Sequence, residues 1–255
     1  TIFIVTADNG PEGNDPSDHK PWRDWIKTTI YDRDYDTLGD QDSYVYIGTE
    51  FAQATASPSH LFKFHMSEGG LRVPLIMSGP GINKGKNHNF AFVTDIAATI
   101  SDIVFDEVDE RIIGKSLQNS LAGSNENNYE DFEAVGLEVT GNSALFKGNY
   151  KIVRNRPPNG SNQWELYNLH EDPGETQDLS KIMPDKLFEL IEDYDQYAQK
   201  NGVIELPLDY QWAEEMTVNT FKRNYLPLLL RAVSVIALTV FVVIYLRRRW
   251  KKTQN

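Results

Sequence analysis

Residues 1–10 read TIFIVTADNG, and their reading decides the fold class. Ile2 to Val5 are four consecutive β-forming apolar residues with no polar face. That is the pattern of a strand buried on both sides, as in the parallel sheet of an α/β domain. Asp8 and Asn9 follow at its carboxyl end, where open α/β sheets place their ligands. A carboxylate beside an amide carbonyl offers hard oxygen donors suited to Ca²⁺ or Mg²⁺, and Gly10 lets the backbone turn away tightly. Taken alone, Asp-Asn-Gly reads first as an ordinary Asx or Asn-Gly turn.

Outward from this strand the chain alternates element types. Residues 11–60 are polar, aromatic and rich in Asp without a sustained period, which predicts a long functional loop with short helices. Its Trp22, Trp25, Tyr31 and Tyr44 could wall a site or pack in a core. RVPLIMSGPG (72–81) predicts a second short strand, ended by Gly79, Pro80 and Gly81. VTDIAATISDIVF (93–105) predicts a helix with Thr94 as its N-cap. Past residue 131 the period shortens. AVGLEVT, SALFKGN, YKIVRN and WELYNL are four strand candidates separated by turn residues, the pattern of a small antiparallel sheet. MPDKLFELIEDYDQYAQKNG (183–202) then places Leu187, Leu190, Ile191, Tyr194, Tyr197 and Ala198 on one helical face. Pro184 opens that helix and Gly202 closes it.

Charge divides the chain unevenly. Of 255 residues, 37 are acidic and 25 basic, and every acidic residue lies at or before Glu215. An anionic body of this kind excludes nucleic-acid binding, which needs clustered Lys and Arg. An anionic substrate would need a local positive feature such as a metal. The absence of cysteine excludes disulfides, thiolate metal sites and a cysteine nucleophile within these residues.

Tyr225 to Leu246 (YLPLLLRAVSVIALTVFVVIYL) is 22 residues with Arg231 as its one charge. About 20 apolar residues cross a bilayer core. Arg231 can snorkel, and Tyr225, Tyr245 and Trp250 stand where interfacial aromatics are expected. The basic cluster Arg247, Arg248, Arg249, Lys251 and Lys252 outweighs Lys222 and Arg223 on the other side. This predicts a cytoplasmic C-terminus, with the body outside the cytoplasm, at the cell surface or in a periplasm.

HLFKFHMSEGGLRVP (60–74) is the second stretch that could carry chemistry. Lys63 lies between Phe62 and Phe64, and a partly desolvated ammonium there would hold a sulfate or phosphate oxygen and the charge on a leaving oxygen. By itself it reads first as a surface lysine on a loop. His60 and His65 read as packing or capping residues, and Glu68 and Arg72 as a structural ion pair.

Taken together, TADNG (6–10), SYVYIGTEFAQATASPSHLFKFHMSEGGLRVPLIMSGPG (43–81) and WELYNLHEDPGETQDL (164–179) resemble the C-terminal half of a sulfatase of the arylsulfatase family. The likeness covers about residues 1–207, with three blocks in the family's order. It implies an α/β fold: part of a mixed or parallel sheet sandwiched by helices, a four-stranded antiparallel subdomain with a packed helix, then a transmembrane helix. Residues 1–131 would belong to the catalytic domain, 132–207 to the small subdomain, 208–224 to a linker, 225–246 to the membrane span and 247–255 to the tail.

The resemblance further implies that Asp8 and Asn9 are calcium ligands and that Lys63 contacts the substrate sulfate, while residues 171–179 are structural. Ala98 stands where the family commonly has proline. The implied substrate is a small sulfate ester or a sulfated glycan. The family's formylglycine nucleophile arises from a C/S-x-P-x-R segment, which these residues lack. It and the other calcium ligands are expected upstream, together with further sheet strands, and these 255 residues alone are expected to be inactive. A phosphate or phosphonate monoester hydrolase on the same scaffold and a noncatalytic membrane-tethered module are the alternatives.

Overall fold

The computed structural model describes residues 1–13, 29, 31–32, 34–43, 46–210 and 212–253. Trp22, Trp25 and Tyr44 lie outside them, and Tyr31 is exposed. The opening strand β1 (Phe3–Thr6) is present, and RVPLIMSGPG supplies β2 (Leu75–Ser78). They pair antiparallel, Phe3 opposite Ser78 and Thr6 opposite Leu75.

The α/β class therefore holds, but two particulars of β1 differ from its composition. Its one partner among the described residues runs antiparallel, because the intervening chain enters β2 at the same end by which it leaves β1, with Leu75 opposite Thr6. Apolar content reports burial and leaves direction open. Nor is β1 covered on both sides: on one face Phe3 is 66%, Val5 60% and the opposite Ile76 of β2 60% exposed, while Ile4 and Met77 on the other face are half-buried.

Between the two strands, residues Tyr35–Thr37 form a 3₁₀ turn, α1 spans Gly48–Ala56, and α2 is the single turn Glu68–Leu71. Helix α3 (Val93–Phe105) starts one residue ahead of the expected cap. Thr94 lies inside its first turn, and the Asp95 carboxylate reaches back to accept the Phe92 N–H at 2.7 Å. A carboxylate in the first turn satisfies an orphan donor and complements the helix dipole, and here it displaces a threonine cap. The short helix α4 (Gln118–Leu121) follows.

The expected antiparallel sheet is present as β3 (Ala134–Val139), β4 (Asn142–Lys147), β5 (Tyr150–Arg154) and β6 (Glu165–Asn168), in sequential order. Period-2 alternation sends Leu145, Ile152 and Leu166 to one face. There they pack on Leu190 and Tyr194 of α5 (Pro184–Asn201), with Leu187, Ile191, Tyr197 and Ala198 around them. The predicted helical face is the observed one, and Gly202, at φ 67°, ends the helix as expected. Each such fully buried aliphatic side chain contributes about 1.5–3 kcal/mol.

The opposite face carries Ala144, Val153 and Tyr167. They pack with Met66 and Leu71, which flank and end α2. The small sheet is thus covered on both faces, once by its own helix and once by the segment that carries Lys63.

Residues 1–204 form one unit and residues 205–255 another. In the second, α6 (Trp212–Thr220) passes through a π-helical turn, Phe221–Tyr225, into α7 (Leu226–Thr253). The stretch Val218–Trp250 is long and apolar enough to cross a membrane, and none of it is buried. Two of its hydroxyls bond to its own backbone. Ser234 Oγ donates to Leu230 O at 2.8 Å and Thr239 Oγ1 to Val235 O at 2.9 Å, as a helix in hydrocarbon requires.

Candidate active site

The Asp8-Asn9-Gly10 turn leaves β1 and meets the end of α2 at once. The Gly10 N–H donates to Gly70 O at 2.9 Å. A Cβ on Gly10 would stand 1.8 Å from Gly69 O, so only glycine fits this approach. Asn9 Nδ2 donates to Gly10 O at 2.8 Å, which leaves Oδ1 as the amide's unspent oxygen. Asp8 is exposed.

Lys63 is brought to the same turn. Its N–H donates to Pro11 O at 3.0 Å. Its ammonium lies 3.1 Å from Glu12 Oε2 and 5.2 Å from the centre of the Phe64 ring. Because the Lys63 and Glu12 side chains are 29% and 43% exposed, their pairing is weak and an arriving anion can replace the carboxylate. Beside the turn, a cleft of about 330 Å³ is walled by Asn9, Thr55, Ser59 and Arg72 among others.

The segment around Lys63 holds an unfavourable backbone. Leu61 and Phe64 have φ of 59° and 74°, which costs bulky residues on the order of 1–3 kcal/mol each unless the surroundings enforce it. Here side chains from three elements enforce it. Gln53 of α1 accepts from Leu61 N at 2.7 Å and donates to Ser59 O at 2.9 Å. Asn142 of β4 donates to Phe64 O at 2.7 Å. Asn155, just after β5, accepts from Met66 N and donates to Ser67 Oγ, both at 2.9 Å.

His65 packs as expected, buried and edge-on to Phe62 with ring centres 4.8 Å apart. Its Nδ1 is 3.0 Å from Phe62 O, a carbonyl that can only accept, so the proton sits on Nδ1. Nε2 then accepts from Asn159 Nδ2 at 3.0 Å. Burial pushes the imidazole below its ordinary pKa. The folded protein therefore prefers neutral His65, and its contribution to stability is full above the unfolded value of 6.5 and is lost as pH falls below it. His65→Gln is expected to flatten the fall of Tm between pH 7 and pH 5; equal slopes in wild type and variant would contradict this role.

Glu68 and Arg72 do form an ion pair, at 3.9 Å, but Glu68 has a closer partner in the buried ammonium of Lys151, at 2.9 Å. Lys151, Glu175, Gln53, Asn142 and Asn155 escape a sequence-based list of site residues. The one available sign is that Lys151 shares the apolar face of its strand with Val153. Residues 171–179 are structural in their contacts: Asp172 accepts from Thr176 N and Gln177 N, both at 2.8 Å, and Asp178 accepts from Leu166 N at 3.0 Å.

Among the described residues no group of three or more His, Asp or Glu could hold a metal. Asp8 and Asn9 supply two hard oxygens on a turn of fixed shape. This donor set fits calcium as part of a cage, since that ion takes six to eight oxygens.

Comparisons with known proteins bear on the same residues. The family model described as N-sulphoglucosamine sulphohydrolase, C-terminal, matches residues 59–196, and the Sulfatase model matches residues 1–106. An uncharacterized sulfatase of Schizosaccharomyces pombe is 32% identical over 82% of this chain and 40% of its own length. Arylsulfatase K of Xenopus laevis is 24% identical over 58% of this chain and 30% of its own. The chain thus spans 40% or less of these curated relatives.

Among solved structures, Ps i-CgsB is similar with a TM-score of 0.56 at 16% identity, covering 88% of this chain and 42% of that one. A Bacteroides thetaiotaomicron protein, BT33336S-sulf, has a TM-score of 0.52 at 20% identity, covering 78% and 39%. At these identities the likeness is one of fold.

Proposed function

The chain belongs to the sulfatase family, and from that premise we propose that this protein hydrolyses a sulfate ester, with Lys63 as the anion contact and Asp8 and Asn9 as calcium ligands. The observation that supports this most directly is the pair of backbone hydrogen bonds, Gly10 to Gly70 and Lys63 to Pro11. They support the reading by holding the Lys63 backbone against Pro11, next to the Asp8-Asn9-Gly10 turn.

Calcium, when bound, would supply Lewis-acid polarisation of the sulfate oxygens. Asp8 would hold it through its carboxylate and Asn9 through Oδ1. Lys63 would exchange Glu12 for a sulfate oxygen, orient the ester, and share the charge that grows on the leaving oxygen. The nucleophile, a formylglycine in this family, and the remaining calcium ligands would come from residues outside this sequence. The substrate class is a sulfated glycan or a small sulfate ester, in keeping with the sugar sulphohydrolase description of the matching family.

Residues 1–131 would serve the catalytic domain and 132–207 the small subdomain, with 208–224 as linker. Residues 225–246, the last residue of the π-helical turn and most of α7, would cross the membrane, leaving the basic residues 247–255 in the cytoplasm and the site outside it.

The test is sulfate release from 4-nitrophenyl sulfate by the full-length protein, with and without a calcium chelator. Release that the chelator stops and added Ca²⁺ restores is expected, together with none from the 255 residues expressed alone. Preferential cleavage of 4-nitrophenyl phosphate would move the activity to phosphate esters, and turnover by the 255 residues alone would place the nucleophile within them.

A further inference from the structure

Lys151 is fully buried between two carboxylates. Its ammonium lies 2.9 Å from Glu68 Oε1, 2.7 Å from Glu175 Oε1 and 4.9 Å from the centre of the Phe146 ring. Glu175 Oε2 in turn accepts the Glu68 N–H at 2.8 Å. Glu175 holds φ at 53°, a left-handed conformation that costs a glutamate energy and persists where contacts over-determine it.

Packing alone does not call for a cation here. The same face presents Ala144, Val153 and Tyr167, so an apolar residue at 151 would extend it without desolvating a charge. Buried ion clusters are often no more stabilising than apolar groups of the same volume.

What the cluster holds is the first residue of α2. Glu68 is followed by Gly69, which has no room for a side chain, its Cβ position lying 2.0 Å from Leu61 O. Next comes Gly70, whose carbonyl takes the Gly10 N–H, while Pro11 O takes the Lys63 N–H. The contacts therefore run without a gap from Lys151 through Glu68 and Gly70 to the Asp8-Asn9-Gly10 turn, and on to Lys63.

We propose that Lys151 is a positioning residue: through Glu68 and Glu175 it sets the Lys63 segment against the Asp8-Asn9 turn, so that the small sheet governs the geometry of the sulfate-binding site. This rests on the sulfate-ester function assigned above to Lys63, Asp8 and Asn9. Polar partners that orient binding groups typically carry about 10–100-fold in affinity or activity.

The experiment compares wild type, Lys151→Met and the charge-free triple variant Lys151→Met/Glu68→Gln/Glu175→Gln in the full-length protein, well below their melting temperatures. Lys151→Met is expected to raise the KM for 4-nitrophenyl sulfate and the inhibition constant of inorganic sulfate by about 10–100-fold. It should also speed amide exchange at Gly10 and over residues 60–70 while α5 stays protected. The triple variant, with no unpaired buried charge, should regain Tm but keep the raised constants.

Recovery of both constants along with Tm in the triple variant would reduce the cluster to a stability element and overturn the proposal, as would exchange that rises equally in α5. If Lys151→Met fails to fold, the triple variant decides alone, and wild-type constants with wild-type exchange in it overturn the proposal. If the wild type releases no sulfate, the function assigned above fails by itself. The exchange pattern then still shows whether Lys151 sets the Lys63 segment against the turn.

Discussion

Lys63→Ala in the full-length protein is expected to lower kcat/KM for a sulfate ester by about 10²–10³-fold, the loss that follows removal of one well-placed donor to a developing negative charge. Folding should survive, because the side chain is part-exposed and its ion pair with Glu12 lies at the surface. The backbone hydrogen bond from Lys63 N to Pro11 O does not depend on the side chain. Inhibition by inorganic sulfate should weaken in parallel, since the ammonium is proposed to meet the ground-state anion as well as the transition state. Lys63→Arg keeps the charge and should retain part of the rate. Steady-state kinetics on both variants, with melting curves as the control, check the assignment. A Lys63→Ala protein of unchanged kcat/KM would remove this lysine from the site.

Gly10→Ala is expected to destabilise the full-length protein by about 3 kcal/mol or more and to abolish its activity. Overpacking in a tight site costs about 1–3 kcal/mol, and more where nothing can yield. Nothing can yield here: the new methyl would meet Gly69 O at 1.8 Å, Gly69 C at 2.9 Å and Gly70 Cα at 3.2 Å, all of them backbone. The turn would have to move off α2, breaking the Gly10 to Gly70 hydrogen bond and displacing Asp8 and Asn9 from Lys63. Gly85→Ala is the matched control, because no atom lies within 4 Å of a Cβ there. Equal denaturation midpoints for wild type and Gly10→Ala would show that the turn does not pack on α2 as described.

The two halves of the site differ in how well sequence reports them. Taken alone, Lys63, Asp8 and Asn9 read as a surface lysine and an ordinary turn; the three blocks around them that carry a family resemblance mark them as site candidates. The residues that hold them do not stand out. Asn155 and Met66 are 89 positions apart, Lys151 and Glu68 are 83, and Glu175 and Glu68 are 107. An asparagine after a strand or a lysine within one is common, and only its distant partner makes it specific. Thr94 is a similar case at short range: threonine is a fair cap by propensity, but the Asp95 carboxylate one residue on accepts the Phe92 N–H, and the helix begins upstream of Thr94.

The sequence by itself determined the elements whose evidence is local. Period-2 runs marked β3 to β6, a 3.6-residue period with Pro184 and Gly202 at its ends marked α5, and the apolar run Tyr225–Leu246, with Arg231 its one charge, marked the core of the longer helical stretch Val218–Trp250. Each follows from side chains that neighbours in the chain place on one face. Only the tertiary structure decided that β1 runs antiparallel to β2, that the second face of the small sheet covers the Lys63 segment, and that Lys151 is buried between two glutamates. Local periodicity says which face of an element is apolar. It carries no information on which remote segment covers that face, or from which direction, because those are settled by closing long loops over shared contacts.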